Sequence, residues 1–178
     1  MTKRLARGVG LPLVALLLGA LPLQAVPLPA APQLLANGAY GSTLMNLIRG
    51  AKRRITCVFY LFRTGSSAGN QPRAVAAELI AARRRGVEVT VVLDGGQPVG
   101  SENRATARLL SRGGVRVLFP GAAGVTTHAK AVSIDDRYLL IGSHNLTQSA
   151  LTHNNELSLV IDSPQLAGQV RGYLERLR

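Results

Sequence analysis

Between residues 55 and 119 the chain alternates strand-like and helix-like segments, and no other feature limits its fold as much. "ITCVFYLF" (55–62), "VEVTVVLD" (87–94) and "VRVLF" (115–119) are short apolar runs rich in β-branched residues, the composition of buried strands. Between them, "PRAVAAELIAARRRG" opens on Pro72, sets Val75, Leu79 and Ile80 on one side and ends at Gly86, while "ENRATARLLSRGG" closes at Gly113 and Gly114. A proline fits the first helical turn because its missing N–H has no partner there, and glycine past the last turn permits the chain to reverse. Strands joined through such helices lie parallel, since the crossover returns the chain to the same end of the sheet. Leu44, Leu47 and Ile48 predict a further helix from about Ser42 to Lys52. After residue 120 the pattern changes. "HAKAVSI" and "RYLLIGS" are two strands around the turn-tolerant pair Asp135-Asp136, "LSLVID" (157–162) is another strand, and "SPQLAGQVRGYLERL" is a terminal helix with Ser163 as its cap and Pro164 at its first position. The expected fold is α/β, a mixed and mostly parallel sheet flanked by helices, and 178 residues suit one domain over 39–178.

The first 25 residues, "MTKRLARGVGLPLVALLLGALPLQA", place Lys3, Arg4 and Arg7 before an uncharged apolar run and a small residue, Ala25. That is the layout of a secretory signal peptide over 1–25, with an uncleaved membrane anchor as the competing reading. The proline-rich residues that follow, 26–38, read as an extended tether. An exported chain, periplasmic or secreted, is the expectation, or a membrane-anchored one if the signal stays. The sequence carries 21 basic and 9 acidic side chains, and loss of the first 25 residues leaves 18 against 9, a net charge of +9. Such an excess favours a polyanionic partner, either nucleic acid or an anionic membrane surface. With three Phe and four Tyr, aromatics are too few to suggest a base-stacking platform. The single cysteine, Cys57, lies in an apolar run and reads as core packing. Arg83, Arg84 and Arg85 resemble a phosphate patch, but a basic cluster at a helix end is explained by the helix dipole. The glycine-rich loops 63–71 and 95–101 lack the Gly-Lys-Ser/Thr of a nucleotide-binding loop.

Chemistry concentrates in "HAKAVSIDDRYLLIGSHN", His128 to Asn145. His128 and Lys130 are two apart and share a strand face. With Asp135 and Asp136 as a two-residue turn, Ile134 pairs with Arg137 and His128 falls opposite Ser143. Gly142 then allows a ligand close to the backbone, and Ser143 and Asn145 complete a set of donors suited to an anionic oxygen, with phosphate the obvious guest. His144 should face away from Ser143, and His153 sits in a polar segment. No His-Glu-x-x-His or cysteine pair is present, so no metal site is expected.

The spacing His128-x-Lys130, then Asp135, then Gly142-Ser143-x-Asn145 resembles the "HKD" motif of the phospholipase D superfamily. A single motif in a short chain looks most like the small bacterial endonucleases of that family, which build one active site between two subunits. The likeness extends loosely over about 40–178, including "AELIAARRRGVEVTVVLD" and "NNELSLVID". It implies a single phospholipase D-like catalytic domain without a cofactor. His128 would attack phosphorus to give a phosphohistidine, Lys130 and Asn145 would neutralise the nonbridging oxygens, and Ser143 would belong to the same set. Glu156 would hold the catalytic histidine, with Asp135 and Gly142 in support. The family uses two motif histidines, one as nucleophile and one as acid. This chain has one motif and no repeat, so a homodimer is implied. The function this suggests is an exported, metal-independent phosphodiesterase cleaving nucleic acid. The alternatives are a phospholipase D or cardiolipin-type phospholipid hydrolase or transferase, and a noncatalytic polyanion-binding protein.

Overall fold

The computed structural model describes residues 31–121 and 124–177, so the expected signal peptide or anchor over 1–25 lies outside the described residues. In chain order the elements are β1 (Gln33–Ala36), α1 (Ala39–Gly50), β2 (Arg54–Phe59), α2 (Gln71–Arg84), β3 (Glu88–Leu93), α3 (Gly100–Arg112), β4 (Arg116–Leu118), β5 (Lys130–Ile134), β6 (Tyr138–Gly142), α4 (Gln148–Thr152), β7 (Leu157–Asp162) and α5 (Pro164–Arg176). The seven strands form one sheet in the order β1-β7-β6-β5-β2-β3-β4. One face packs on α1, α2 and α3 through Leu44, Ile48, Val75, Leu79 and Leu110 against Ile55, Cys57, Val91 and Leu140. The other face packs on α5, where Ala167 and Leu174 meet Val58, Val92, Ala131, Leu139 and Ile161. Burial pushes the Cys57 thiol up to about 12, which suits its packing role.

The sheet is mixed and flanked by helices, as expected, but parallel pairs are the minority. Among the strands of the described residues, only β2 with β3 and β3 with β4 run parallel, where α2 and α3 serve as crossovers. The pairs β1–β7, β6–β7, β5–β6 and β2–β5 are antiparallel. For β5 and β6 the reason is connectivity: a parallel neighbour needs a long crossover, and only three residues join these two strands.

Two further expectations are corrected. Residues 33–36, read as part of a tether, form the edge strand β1 on β7, because Leu35 is buried and the prolines that cannot donate to a ladder end at Pro32. The hairpin turn is also longer by one residue. Asp135 and Asp136 adopt φ of 56° and 55°, and Arg137 N–H closes the turn on Ile134 O at 3.0 Å, yet the ladder resumes at Ile134 opposite Tyr138. Arg137 is the extra residue, and it shifts the register by one from a two-residue hairpin.

Local chemistry explains the helix ends. Asn70 caps α2 through Arg73 N–H, Thr147 caps α4 through Ala150 N–H, and Ser163 caps α5 through Leu166 N–H. Arg85 donates to the last carbonyls of α1, Ile48 at 2.9 Å and Arg49 at 3.2 Å, and Arg83 donates to Gly114 O at 3.0 Å. These two arginines are engaged as caps on neighbouring turns. Among the described residues no helix is long and apolar enough to cross a membrane.

Candidate active site

Because β5 runs antiparallel to β2, its first residue comes level with the end of β2, and the end of β6 and start of β7 reach the same edge of the sheet. The topology thus brings together His128 and Lys130 ahead of and at the start of β5, Ser143 and Asn145 beyond β6, Glu156 before β7 and Tyr60 after β2. An open depression of about 540 Å³ lies here, lined by Tyr60, His128, Lys130, Ser143, Asn145 and the backbone around Gly142, with Ala129, Ala131 and Ile141 as its apolar wall.

His128 is exposed, and its ring packs on Tyr60 with centroids 4.6 Å apart. Lys130 Nζ lies 3.1 and 3.2 Å from the two ring nitrogens, donates to His128 O at 2.6 Å and sits 5.3 Å from the Tyr60 centroid. Partial burial lowers the Lys130 pKa from its ordinary value, and the Glu156 carboxylate works against that shift. An ammonium and an imidazole therefore face one open volume. Asn145 Oδ1 accepts Leu61 N–H at 3.2 Å, which leaves Nδ2 as the donor end of the carboxamide.

Ser143 and Glu156 are arranged differently from the expectation. The Ser143 hydroxyl donates to Glu156 Oε2 in a short hydrogen bond and accepts Leu157 N–H at 3.1 Å, so it is committed to the strand next door. Asn154 Nδ2 donates to Glu156 Oε1 at 3.1 Å. Within one chain, Glu156 thus holds Ser143 and Asn154, and the hydrogen-bond partner of the His128 ring is Lys130. Gly142 borders the depression, but a Cβ there would strike Ser158 and Leu157 O, so the close approach that requires glycine is made by β7.

Asp135 lies at the far end of β5. Its carboxylate accepts N–H groups from Lys52, Arg53 and Arg54 at 2.8, 2.8 and 3.0 Å, tying the hairpin to the start of β2. Burial raises its pKa, but the three donors outweigh this and hold the group below its ordinary value. His144 is fully buried, stacked on Tyr40 at 4.3 Å, with Nδ1 on Ser158 Oγ at 2.7 Å and Nε2 on Asn37 O at 3.0 Å. Desolvation lowers its pKa. It fastens the corner after β1 to the loop that carries Asn145. His153 is exposed and pairs with Thr152 at 2.6 Å. Among the described residues no group of three or more His, Cys, Asp or Glu is placed to hold a metal ion.

Sequence reasoning passed over two supports. Asp94, buried at the end of β3, accepts Gly96 N–H at 2.9 Å and Thr127 N–H at 2.6 Å, and so anchors the residue just before His128. Asn103, fully buried on α3, donates to Tyr60 O at 2.7 Å and Asp94 O at 2.9 Å and accepts Phe62 N–H at 2.9 Å. It joins the ends of β2 and β3 and fixes the backbone of Tyr60. The available signal for Asp94 was a carboxylate closing an apolar strand just before Gly95-Gly96.

The mixed sheet between helical layers, with His128, Lys130, Ser143 and Asn145 gathered at one sheet edge and Asp135 bracing the far end of their strand, defines the phosphodiesterase class of the phospholipase D superfamily. Residues 44–178 match the family described as "Cardiolipin synthase, PLD-like domain", and the chain belongs to that family. No curated protein sequence matches it. Among solved structures it is similar to Nuc of Salmonella typhimurium, a phospholipase D family member, with a TM-score of 0.70 and 24% identity over 83% of this chain and 94% of that one. NucT of Helicobacter pylori gives 0.67 and 19% over the same shares. The phosphatidylserine synthase of Haemophilus influenzae gives 0.65 and 19% over 87% of this chain and 40% of the synthase. At these identities the likeness is one of fold.

Proposed function

We propose that this chain is an exported, metal-independent phosphodiesterase that cleaves nucleic acid at a site shared by two copies. The observation that carries the reading is the meeting of His128, Lys130 and Asn145 on one open depression, with one imidazole where the chemistry uses two. A phosphodiester repels nucleophiles by its charge, so cleavage needs donors on the nonbridging oxygens and a neutral attacking group. Lys130 Nζ and Asn145 Nδ2 supply the donors. A ring nitrogen of His128 forms the bond to phosphorus, and the bond to the leaving oxygen breaks as that oxygen takes a proton from the second copy's imidazole. Water then attacks the phosphohistidine, giving its proton to the same second imidazole and releasing His128. The net charge of +12 supports a polyanionic substrate. Export rests on the layout of residues 1–25.

The family description and the apolar amino terminus favour phospholipid as the second reading. A noncatalytic binding role leaves the His128, Lys130 and Asn145 set without a purpose. Incubation of the purified protein with plasmid DNA and with cardiolipin vesicles, both in excess chelator, tests all three. The expected result is nicked and linear DNA with intact lipid. Lipid turnover alone would establish the second reading, and loss of DNA cleavage in chelator with rescue by one divalent ion would refute the metal-independent mechanism.

A further inference from the structure

The helix α5 packs on β5, β6 and β2, and beside it, over the same face of β2, β3 and β4, lies a hollow of about 260 Å³. The register fixes what lines it. Thr56 stands level with Thr90 and Thr90 with Arg116, so two hydroxyls and a guanidinium form one row across three strands. Two residues further along, Val92 and Leu118 make an apolar end with Leu174 of α5, and two residues back Arg54 and Glu88 stand at the rim. The hollow shares no lining residue with the catalytic depression, whose Tyr60 lies roughly 20 Å along β2 from Arg54 at ~3.3 Å per residue.

The donors here are uncommitted. Among the described residues the Thr56 and Thr90 hydroxyls and the Arg116 guanidinium form no hydrogen bond, and Arg54 Nε is buried without one. The carboxylates nearest Arg54 are Glu88 and Asp136, both at 3.7 Å, beyond hydrogen-bond reach. Asp136 is taken by Arg171 at 2.8 Å, and Arg171 also holds Glu175 at 2.7 Å. Glu88 is 66% exposed, so water screens its charge. The lining thus sets three arginines against two glutamates, with two of the guanidiniums free to bind. Donors from three strands suit an anion with several terminal oxygens. A phosphate monoester presents three and a charge of about −1.5 to −2 at neutral pH, where a carboxylate presents two and a single charge.

We propose that this hollow is a second anion site, separate from the catalytic depression, and that it binds the phosphate group of a small phosphomonoester or of free phosphate. Arg116, Thr90 and Thr56 meet the oxygens, Arg54 turns to them from carboxylates it does not hydrogen-bond, and Val92, Leu118 and Leu174 face the carbon of an ester. The site is independent of the chemistry at His128 and of the choice between nucleic acid and lipid as substrate.

The test follows the backbone amide resonances of the full chain by NMR as inorganic phosphate, glycerol phosphate or thymidine monophosphate is added at constant ionic strength. Amides at His128 and Lys130 report the catalytic depression and are followed separately. The expected result is a saturating set of shifts at Thr56, Thr90 and Arg116. Thr90→Val combined with Arg116→Gln should raise the Kd of that set by about tenfold or more, the loss of a charge-assisted hydrogen bond, with circular dichroism showing a native fold. If the pair fails to fold, Arg116→Gln alone, at an exposed position, is read in the same way. A lower Kd for either ester than for the inorganic ion assigns the ester as ligand, and a Kd for the inorganic ion equal to or below theirs assigns phosphate itself; both sustain the site. No shifts at Thr56, Thr90 and Arg116, or shifts that the folded variant keeps at the same Kd, would overturn it. Equal shifts with chloride would reduce the site to ordinary screening, and equal shifts in His128→Ala chain with a DNA duplex lacking terminal phosphates would make it a track for the polymer backbone; either would overturn the proposal.

Discussion

Replacing Asp135, the acidic member of the motif, should damage stability and spare chemistry. It stands five residues along β5 from Lys130, which at ~3.3 Å per residue is a separation of roughly 16 Å, too far to touch a phosphate held at His128. Its carboxylate instead takes three backbone N–H groups from Lys52, Arg53 and Arg54. At about 1 kcal/mol net for each hydrogen bond, below the charge-assisted range because the group is partly exposed, Asp135→Ala should cost about 3 kcal/mol. The left-handed backbone, φ 56°, adds about 1 kcal/mol for alanine, which lacks the tolerance of Asp and Asn for that region. Asp135→Asn keeps that tolerance and one acceptor, and should cost about half as much. For a folded part of roughly 150 residues, ~2–4 °C per kcal/mol gives a melting temperature lowered by about 8–16 °C for alanine. The Asp135 pKa is depressed in the folded state, so its stabilisation is fully present above the unfolded carboxyl value of ~3.9 and is lost as pH falls through the lower folded value. The gap in melting temperature between wild type and Asp135→Ala should therefore narrow below about pH 4, towards the roughly 1 kcal/mol that the left-handed backbone contributes at every pH. Thermal melts across pH, with DNA cleavage measured well below both transitions, provide the assay. A folded Asp135→Ala protein with kcat reduced by about 100-fold or more would refute the reasoning, because a loss of ~2.7 kcal/mol in the transition state needs contact with the reacting groups.

Three further outcomes follow from the site. Asp94→Ala frees Thr127 N–H and loosens His128, so kcat should fall by about 10-fold or more at unchanged KM, with partial rescue by Asp94→Asn; a change in KM alone would remove Asp94 from the positioning of His128. Glu156→Gln should lower turnover with the fold and most binding intact, since the carboxylate beside Lys130 stabilises cationic states of the site, and unchanged turnover would take Glu156 out of it. Binding of nucleic acid should weaken linearly in log–log form as salt rises, while a flat response would point to lipid or a small diester.

Much of the fold could be read from composition because buried parallel strands declare themselves: Ile55 to Phe59 and Val89 to Leu93 are near-continuous apolar runs, and α2 and α3 between them carry their own start and stop residues. The pairing of β2 with β5 was hidden, since nothing in a strand's composition names a neighbour some seventy residues away, and with it went the balance of parallel and antiparallel pairs. β1 was masked by the prolines before it and by its single buried side chain, Leu35. The five-residue α4 is too short for a helical period to show. In the site, His128, Lys130 and Asn145 were visible by spacing alone. The engagement of Ser143 with Glu156, and the hold of Asp94 on Thr127, depend on where loops close in space, and the second of these is made to a backbone N–H that every residue type shares.

The central claim is that one site needs His128 from two copies, and subunit mixing measures it most directly. Wild-type chains and His128→Ala chains carrying different tags are coexpressed in varied ratios, the mixed dimers are verified by sequential purification, and cleavage rate is plotted against the wild-type fraction. A shared site predicts that activity follows the square of that fraction, because only dimers with both imidazoles turn over normally. A rate falling in simple proportion to the wild-type fraction, in verified mixed dimers, would show that each chain works alone and would contradict the shared-site account.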